Sequence, residues 1–376
     1  MVSYIVLLSE RESEEEKGPS LTTLYISSAR VTFGVETESP DFPGKIRVSW
    51  SGLRVRVNIT VWDADGGIVL SQLETAKSVG RGPREMSTDV SIPQESKIIT
   101  IRRITEGANY GAGIGMKVLA SSMMEFYGLD VEGGIKVTTA KKRRHTIEYL
   151  GASDTAGYCV DGAENQPGVY LDGWEYDNCD AATPALLGYH FDTNVHVVAE
   201  GGLGLIQNAP GEGKETLRDF WNNHTLLTEK NPKWVGPGEI HPDLVIVSVG
   251  GNDYNHHKGK VPTDEEFGSA YEQFLMEIFG TYAGVKVLSV CGQGSPVESE
   301  YDPDNNRCSP CPHVESAVST FKEKHNDMVA EYMFVPCDGS VVTGKGDIGC
   351  KGHKNRVGQR KVSDFLLSKV ENLLLV

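Results

Sequence analysis

The chain is long enough to hold two hydrophobic cores, and its charge is strongly acidic. It has 376 residues, 39% of them hydrophobic, and its 36 basic and 52 acidic residues give a net charge of −16. Because single cores stop growing beyond roughly 250–300 residues, we expect two domains. The negative charge opposes binding to nucleic acid. We therefore expect no nucleic-acid partner. No apolar run approaches the roughly 18 residues of a membrane-spanning helix, so we expect no membrane span.

The cysteines and the N-terminus do not fix the compartment. Seven cysteines, an odd number, are scattered between Cys159 and Cys350. Cys308 and Cys311 form one CxxC with no second, which is weak for a zinc site, and a loop disulfide is the better interpretation if the protein is secreted. The apolar YIVLL at 4–8 is too short for a complete signal peptide. The chain is therefore intracellular or has lost a leader, and of the two the secretory pathway is favoured.

The chain before residue 143 has the pattern of a β-sandwich. Residues 53–62, LRVRVNITVW, alternate with a period of two, so that their apolar side chains share one face and mostly polar groups share the other. Further short strands are predicted for GIVLSQL, KIITIRRIT, IGMKVLAS and GIKVTT, separated by Gly, Pro, Asn and Asp clusters. Many short strands without an amphipathic helix predict a β-sandwich over residues 20–142.

After residue 143 the pattern changes to buried strands that alternate with helices. The apolar runs TIEYL, VHVVAE, DLVIVSVG, VKVLSVC and YMFVP are the predicted strands. The predicted helices cover 264–283, 314–333 and 357–375. Alternation of this kind indicates a parallel sheet covered on both faces, which we place in residues 143–376. Function in such sheets gathers at the carboxyl ends of the strands.

Those strand ends carry the residue types that acyl transfer needs. The first strand runs into Ser153, the second into a glycine cluster with Gly202, the third into Asn252 and Asp253, and His353 precedes the last helix. A serine becomes nucleophilic when an imidazole takes its proton, and the tetrahedral oxyanion needs backbone N–H groups or an amide as donors. Each motif alone is typical of an ordinary turn or cap. Their ordered occurrence at successive strand ends favours a catalytic site.

In these blocks the sequence resembles SGNH-type serine esterases, and with the sandwich ahead of them it is similar to carbohydrate esterase family 2. The resemblance covers about residues 22–372. It rests on KIITIRRITEG, IEYLGASDTAGY, AEGGLGLIQN, VIVSVGGNDY and GCKGHKNRVGQRKVSDFL. It implies a jelly-roll-like sandwich followed by a three-layer α/β hydrolase domain.

The resemblance also implies the chemistry. Ser153 is then the nucleophile and His353 the general base, and the oxyanion donors are the Ser153 N–H, Gly202 and Asn252. Members of the family remove acetyl groups from polysaccharides such as xylan and mannans without a metal or organic cofactor. The implied substrate is thus an acetylated polysaccharide or oligosaccharide.

Three positions depart from the family pattern. The usual Gly-Asp-Ser reads Gly151-Ala152-Ser153, and the acid that commonly sits three residues before the histidine is Cys350. A thiol cannot replace a carboxylate in orienting an imidazole. Asp347 is a candidate replacement, and the resemblance offers a second route, in which a backbone carbonyl orients the histidine of a Ser–His dyad. The proline usual after the histidine is Lys354, which we expect to loosen a turn without affecting the chemistry.

The substrate is the least determined part of the site. Trp174 and Tyr176 lie in a loop between the first two blocks, where aromatic rings stack on sugars or pack the loop onto the domain. A thioesterase, lipase or acyltransferase on the same fold remains an alternative, as does a carbohydrate-binding protein whose site has lost activity with the acid.

Overall fold

The computed structural model describes two compact units, one ending at residue 142 and the other beginning at residue 143. None of the helices it describes is long and apolar enough to cross a membrane. The described residues are 3–4, 24–26, 28–37, 44–52, 55–76, 84–105, 124–133, 135–139, 143–163, 173–209, 215–223, 240–255, 261–292 and 308–375.

The first unit is a β-sandwich. One sheet has the strand order β1-β3-β8-β5-β6, with β10 also paired to β3, and the other has the order β2-β9-β4-β7. All pairs are antiparallel except β1 with β3. The strands are β1 Ser3–Tyr4, β2 Leu24–Ile26, β3 Ser28–Thr37, β4 Gly44–Gly52, β5 Val55–Trp62, β6 Ile68–Ala76, β7 Arg84–Ile92, β8 Ile98–Arg103, β9 Met124–Glu132 and β10 Ile135–Thr139.

The alternating run that predicted a strand forms β5 at the centre of the first sheet. Val57, Ile59 and Val61 are fully buried in a core shared with residues of the second sheet, such as Trp50. The opposite face was expected to be exposed, but Thr60 is also buried. It lies directly across from the buried Thr100 of β8, so neighbouring polar side chains shield one another. The predicted strand IGMKVLAS lies outside the described residues.

The second unit is an α/β domain with a five-stranded parallel sheet in the order β12-β11-β13-β14-β15. The predicted helix over 314–333 is too long, because the turn-forming Asn326 and Asp327 end it at Lys324 and a strand follows. The strands are β11 Thr146–Gly151, β12 Asn194–Ala199, β13 Leu244–Ser248, β14 Lys286–Gly292 and β15 Ala330–Val335. The helices are α1 Ser153–Ala156, α2 Thr183–His190, α3 Leu217–Asn223, α4 Asp264–Thr281, α5 Cys311–Lys324 and α6 Arg356–Leu375.

Helices cover both faces of this sheet, as predicted. On one face α3, α4 and α5 pack large side chains such as Trp221, Phe274 and Phe321 against the strands. On the other face α2 and α6 contribute Leu187 and Leu366. Burial on both faces explains why the strands are continuous apolar runs instead of alternating ones.

Three disulfides join distant parts of the second unit. They are Cys159–Cys350, Cys291–Cys311 and Cys308–Cys337. The two cysteines of the CxxC therefore bond to different partners and not to each other. Among the described residues no three His, Cys, Asp or Glu side chains are grouped to hold a metal ion.

Candidate active site

The sheet order places the nucleophile block at a topological switch point. The chain leaves β11 toward β12 on one side, whereas β13 pairs with β11 on the other side. Connections that diverge in this way open a crevice at the carboxyl ends of the strands. Ser153 follows β11 and Asn252 follows β13, so both lie at that crevice.

The turn that carries Ser153 requires glycines. A side chain at Gly151 would lie 2.1 Å from the hydroxyl of Thr155, so only glycine fits between the strand and α1. The helix ends after one turn at Gly157, whose φ of +85° is the left-handed conformation that glycine adopts without strain. The short helix thus begins at Ser153, which lines the crevice.

His353 meets Ser153 from a segment 200 residues later in the chain. Its Nε2 lies 2.8 Å from Oγ of Ser153, which is hydrogen-bonding distance. A 3₁₀ turn over Cys350–Gly352 delivers the histidine, and the His353 N–H donates to the Cys350 carbonyl. The Gly349 N–H donates in turn to the His353 carbonyl. The predicted nucleophile and base therefore stand together in the geometry that proton transfer requires.

The residues that follow Ser153 and His353 also pair with each other. Lys354 is fully buried, and its Nζ lies 2.8 Å from a carboxylate oxygen of Asp154. The Gln359 side chain donates to the Asp154 carbonyl. The expectation that Lys354 only loosens a turn is wrong, because its side chain joins the segment of the base to the segment of the nucleophile.

The carboxylate of Asp347, the candidate to orient His353, bonds to Thr343 and Lys361. Its carboxylate accepts hydrogen bonds from the N–H and hydroxyl of Thr343 and from the Lys361 ammonium. Burial opposes its charge, but these bonds outweigh burial and hold its pKa below the ordinary value. The Asp347 carbonyl accepts from Asn355 N–H, two residues beyond the histidine. Asp347 therefore organises the loop that carries His353 instead of orienting the imidazole.

The glycine block and the asparagine block lie against each other. The side-chain amide of Asn252 donates to the Leu203 carbonyl at 2.8 Å, which leaves its second N–H for another acceptor. Gly202 has a φ of +80°, a conformation that disfavours any other residue. Of the predicted oxyanion donors, Ser153 and Asn252 line the crevice, whereas Gly202 does not and only its neighbour Leu203 does.

Asp253 fixes the glycine block in place. Its buried carboxylate accepts three backbone hydrogen bonds, from Leu205, Ile206 and Gln207, at 2.7–3.1 Å. Burial nevertheless dominates and raises the pKa of Asp253 to about 6. A side chain at Gly204 would lie 2.7 Å from this carboxylate, which explains the glycine there.

The crevice holds a cavity of about 130 Å³ that Ser153, Asn252 and His353 line. Its apolar wall includes Val290 and Pro310. A cavity of similar size holds benzene, so this one has room for a small acyl group.

The two aromatic residues predicted to bind sugar have different outcomes. Tyr176 packs against Tyr158 and the Cys159–Cys350 disulfide, and it is not among the residues that line the described cavity, so its sugar contact stays a prediction. Packing of the loop thus accounts for its position. The side chain of Trp174 lies outside the described residues, so its sugar contact stays a prediction.

Sequence reasoning missed three features of the site. It did not find the Asp154–Lys354 ion pair, the Cys159–Cys350 disulfide or the role of Asp253. Only the second left a usable signal, since Cys350 stands where the pattern of the resemblance has an acid. The others depend on contacts between segments far apart in the chain.

This chain is similar to known proteins more clearly in fold than in sequence. No family model matches the chain. The Cellulase/esterase CelE of Acetivibrio thermocellus is 19% identical over 250 residues, and the match covers 66% of this chain but only 30% of that protein. The chain thus spans less than a third of this curated relative.

Two solved structures are similar along nearly the full chain. A family two carbohydrate esterase from Clostridium thermocellum, solved in complex with cellohexaose, has a TM-score of 0.69 at 17% identity and 99% coverage of both chains. An acetyl xylan esterase, Est2A, from the rumen bacterium Butyrivibrio proteoclasticus has a TM-score of 0.68 at 15% identity, covering 92% of this chain and 90% of that one. The chain therefore has the fold of the family 2 carbohydrate esterases.

Proposed function

We propose that this chain is a serine esterase that removes acetyl or other short acyl groups from O-acetylated carbohydrate through an acyl-enzyme on Ser153. The observation that carries the proposal is the 2.8 Å contact between His353 Nε2 and Ser153 Oγ at the wall of a small cavity. Serine and histidine in this contact, at a strand end, supply a nucleophile and its base.

The reaction then has two halves. In the first, His353 takes the Ser153 proton while Oγ attacks the ester carbonyl, and His353 returns that proton to the departing sugar hydroxyl. The acetyl group is left on Ser153. In the second, His353 takes a proton from water, the hydroxide attacks the acetyl carbonyl, and acetate leaves as the proton returns to Ser153.

The oxyanion of each tetrahedral intermediate needs donors already in place. We assign this role to the N–H groups of Ser153 and Gly202 and to the second N–H of the Asn252 amide. The hydrogen bond from this amide to Leu203 supports the assignment, because it fixes the side chain before substrate arrives.

The cavity volume is sufficient for an acetyl group, which supports acetate as the released acid. The similar structures support a carbohydrate as the alcohol part, since one holds cellohexaose and another is an acetyl xylan esterase. A thioesterase, lipase or acyltransferase on the same fold is an alternative. A binding protein without activity is another, and the Ser153–His353 contact argues against it.

Two structural proposals accompany this function. We assign residues 20–142 to a jelly-roll-like sandwich, supported by the two sheets around one core, and residues 143–376 to the hydrolase domain. Disulfides persist in oxidising compartments, so the three bonds support a secretory-pathway location.

The test is hydrolysis of an aryl acetate, an aryl hexanoate and an acetylated xylo-oligosaccharide by the intact chain and by Ser153→Ala. We expect acetate release from both acetylated substrates, at least about tenfold slower hydrolysis of the hexanoate, and loss of all activity in the variant. A faster reaction with hexanoate would favour a lipase. Binding of the oligosaccharide without acetate release would favour a binding protein.

A further inference from the structure

We propose that the Cys159–Cys350 disulfide is a positioning device for His353, at the position where the sequence pattern would place an acid. This inference rests on the proposed function, because it concerns the same Ser–His pair. The disulfide joins residues 191 positions apart in the chain, and Cys350 lies three residues before the histidine.

Both cysteines neighbour groups that touch His353. The carbonyl of Cys350 accepts the His353 N–H at 3.1 Å, and the Gly349 N–H donates to the His353 carbonyl at 2.7 Å. Tyr158, directly before Cys159, presents its ring edge to the imidazole with the ring centroids 4.8 Å apart. The S–S bond therefore begins at Cys350, which holds the backbone of His353. It ends at Cys159, whose neighbour Tyr158 contacts the imidazole ring.

The two segments are also in direct contact around the bond. A side chain at Gly349 would lie 2.2 Å from the Cys159 carbonyl, and one at Gly162 would lie 2.8 Å from Cys350 Sγ. Only glycines allow the chains to approach this closely.

Cys159 itself adopts a conformation that costs energy. Its φ is +59°, in the left-handed region that a residue with a side chain adopts at a cost of roughly 1 kcal/mol or more. The surrounding contacts maintain it, including the hydrogen bond from Cys159 N–H to the Asp177 carboxylate. Strain of this kind, one residue from a ring that touches the base, is expected where position matters for function.

The position of the imidazole depends on the turn that carries His353. Asp347, the carboxylate nearest to it in sequence, is bound by Thr343 and Lys361. An error of about 1 Å in the placement of a catalytic group can lower the rate by about 100-fold. The disulfide restricts such errors by holding the turn that carries the imidazole.

The experiment compares two full-length variants that each lose one disulfide. The test variant is Cys159→Ser/Cys350→Ser, and the control is Cys308→Ser/Cys337→Ser, which removes a bond whose cysteines do not line the cavity. A second test variant, Cys159→Gly/Cys350→Val, covers failure to fold, because glycine accepts the positive φ and valine fills the volume of the lost sulfur.

Two readouts are measured at a temperature where circular dichroism shows every variant to be folded. One is kcat and KM for an aryl acetate. The other is the rate of Ser153 labelling by an alkyl fluorophosphonate, followed by intact mass. In that reaction Oγ bonds to phosphorus, fluoride leaves and the proton passes to His353, so it reports the activated serine without requiring ester turnover.

We expect the test variants to lose about 10- to 100-fold in kcat and in labelling rate, with KM within about threefold of the parent. The control is expected to stay within about threefold in both readouts. Unchanged labelling in the test variants, or an equal loss in the control, would overturn the positioning role. Parent protein that is labelled at Ser153 but releases no acetate would refute the proposed function and leave the labelling comparison valid. Absence of labelling in the parent would refute both.

Discussion

The two halves of the active site are held together by different kinds of bond. The half with Ser153 and His353 joins two segments about 200 residues apart through a disulfide, a buried ion pair and a direct side-chain contact. The half with Gly202 and Asn252 joins two loops about 50 residues apart through uncharged hydrogen bonds and the carboxylate of Asp253. The proposed nucleophile and base are thus held by a covalent bond and a buried ion pair, whereas the proposed oxyanion donors are held by hydrogen bonds.

The largest effect is expected from removal of the base. His353→Ala should lower kcat for an aryl acetate by about 10³- to 10⁴-fold with little change in KM, because His353 moves a proton in every step and binds no part of the substrate. Steady-state kinetics on the purified chain measures this. A loss below tenfold would show that another group acts as base.

Loss of the buried ion pair should mainly affect stability. Lys354→Met leaves the Asp154 carboxylate without its ammonium partner, so we expect the free energy of unfolding to fall by about 3 kcal/mol. Denaturant unfolding followed by circular dichroism measures it. Unfolding at the parent's denaturant midpoint would mean that water already solvates Asp154.

The oxyanion half is tested by Asn252→Ala. Removal of one preorganised donor should lower kcat by about 10²- to 10³-fold and leave the unfolding midpoint nearly unchanged. The control is Asn255→Ala, since Asn255 also lines the cavity but has no assigned role. Equal losses of kcat in Asn252→Ala and Asn255→Ala would contradict the assignment of Asn252 as an oxyanion donor.

The raised pKa of Asp253 makes the free energy of unfolding depend on pH. Its pKa of about 6 in the folded chain lies above the ordinary value of 3.8, so the folded state binds the proton more tightly than the unfolded state. Its contribution to stability is complete below about pH 4 and is lost as the pH rises through 6. Relative to Asp253→Asn, the parent should therefore lose about 3 kcal/mol of unfolding free energy between pH 4 and 7. A difference that does not change with pH would contradict the raised pKa.

The smallest effect is expected from the exposed ion pair between the same two segments as Lys354. Arg356 is largely exposed, and its Nε lies 2.6 Å from the Asp161 carboxylate. Arg356→Gln should cost at most about 1 kcal/mol and leave kcat within twofold, because water and salt screen such pairs. If Arg356→Gln lowers the free energy of unfolding as much as Lys354→Met does, the exposure of an ion pair does not determine its contribution to stability here.

Local patterns predicted most of the fold and pointed to the serine and histidine that the structure brings together. Apolar runs marked all five strands of the parallel sheet, and the glycines beside Ser153 and Asn252 marked their carboxyl ends. Sequence reasoning failed where a partner lies far away in the chain. Lys354 looks like any surface lysine until Asp154 is beside it, and Cys350 looks like a lost acid until Cys159 is bonded to it.

The central claim is that Ser153 carries the acyl group, and the most direct measurement traps that intermediate. The intact chain is mixed with an aryl acetate, quenched in acid during the first turnover and digested for mass spectrometry. We expect one acetyl group on the peptide that contains Ser153, and none on the corresponding peptide of Ser153→Ala. Acetyl on a different residue, or acetate release that continues in Ser153→Ala, would contradict it.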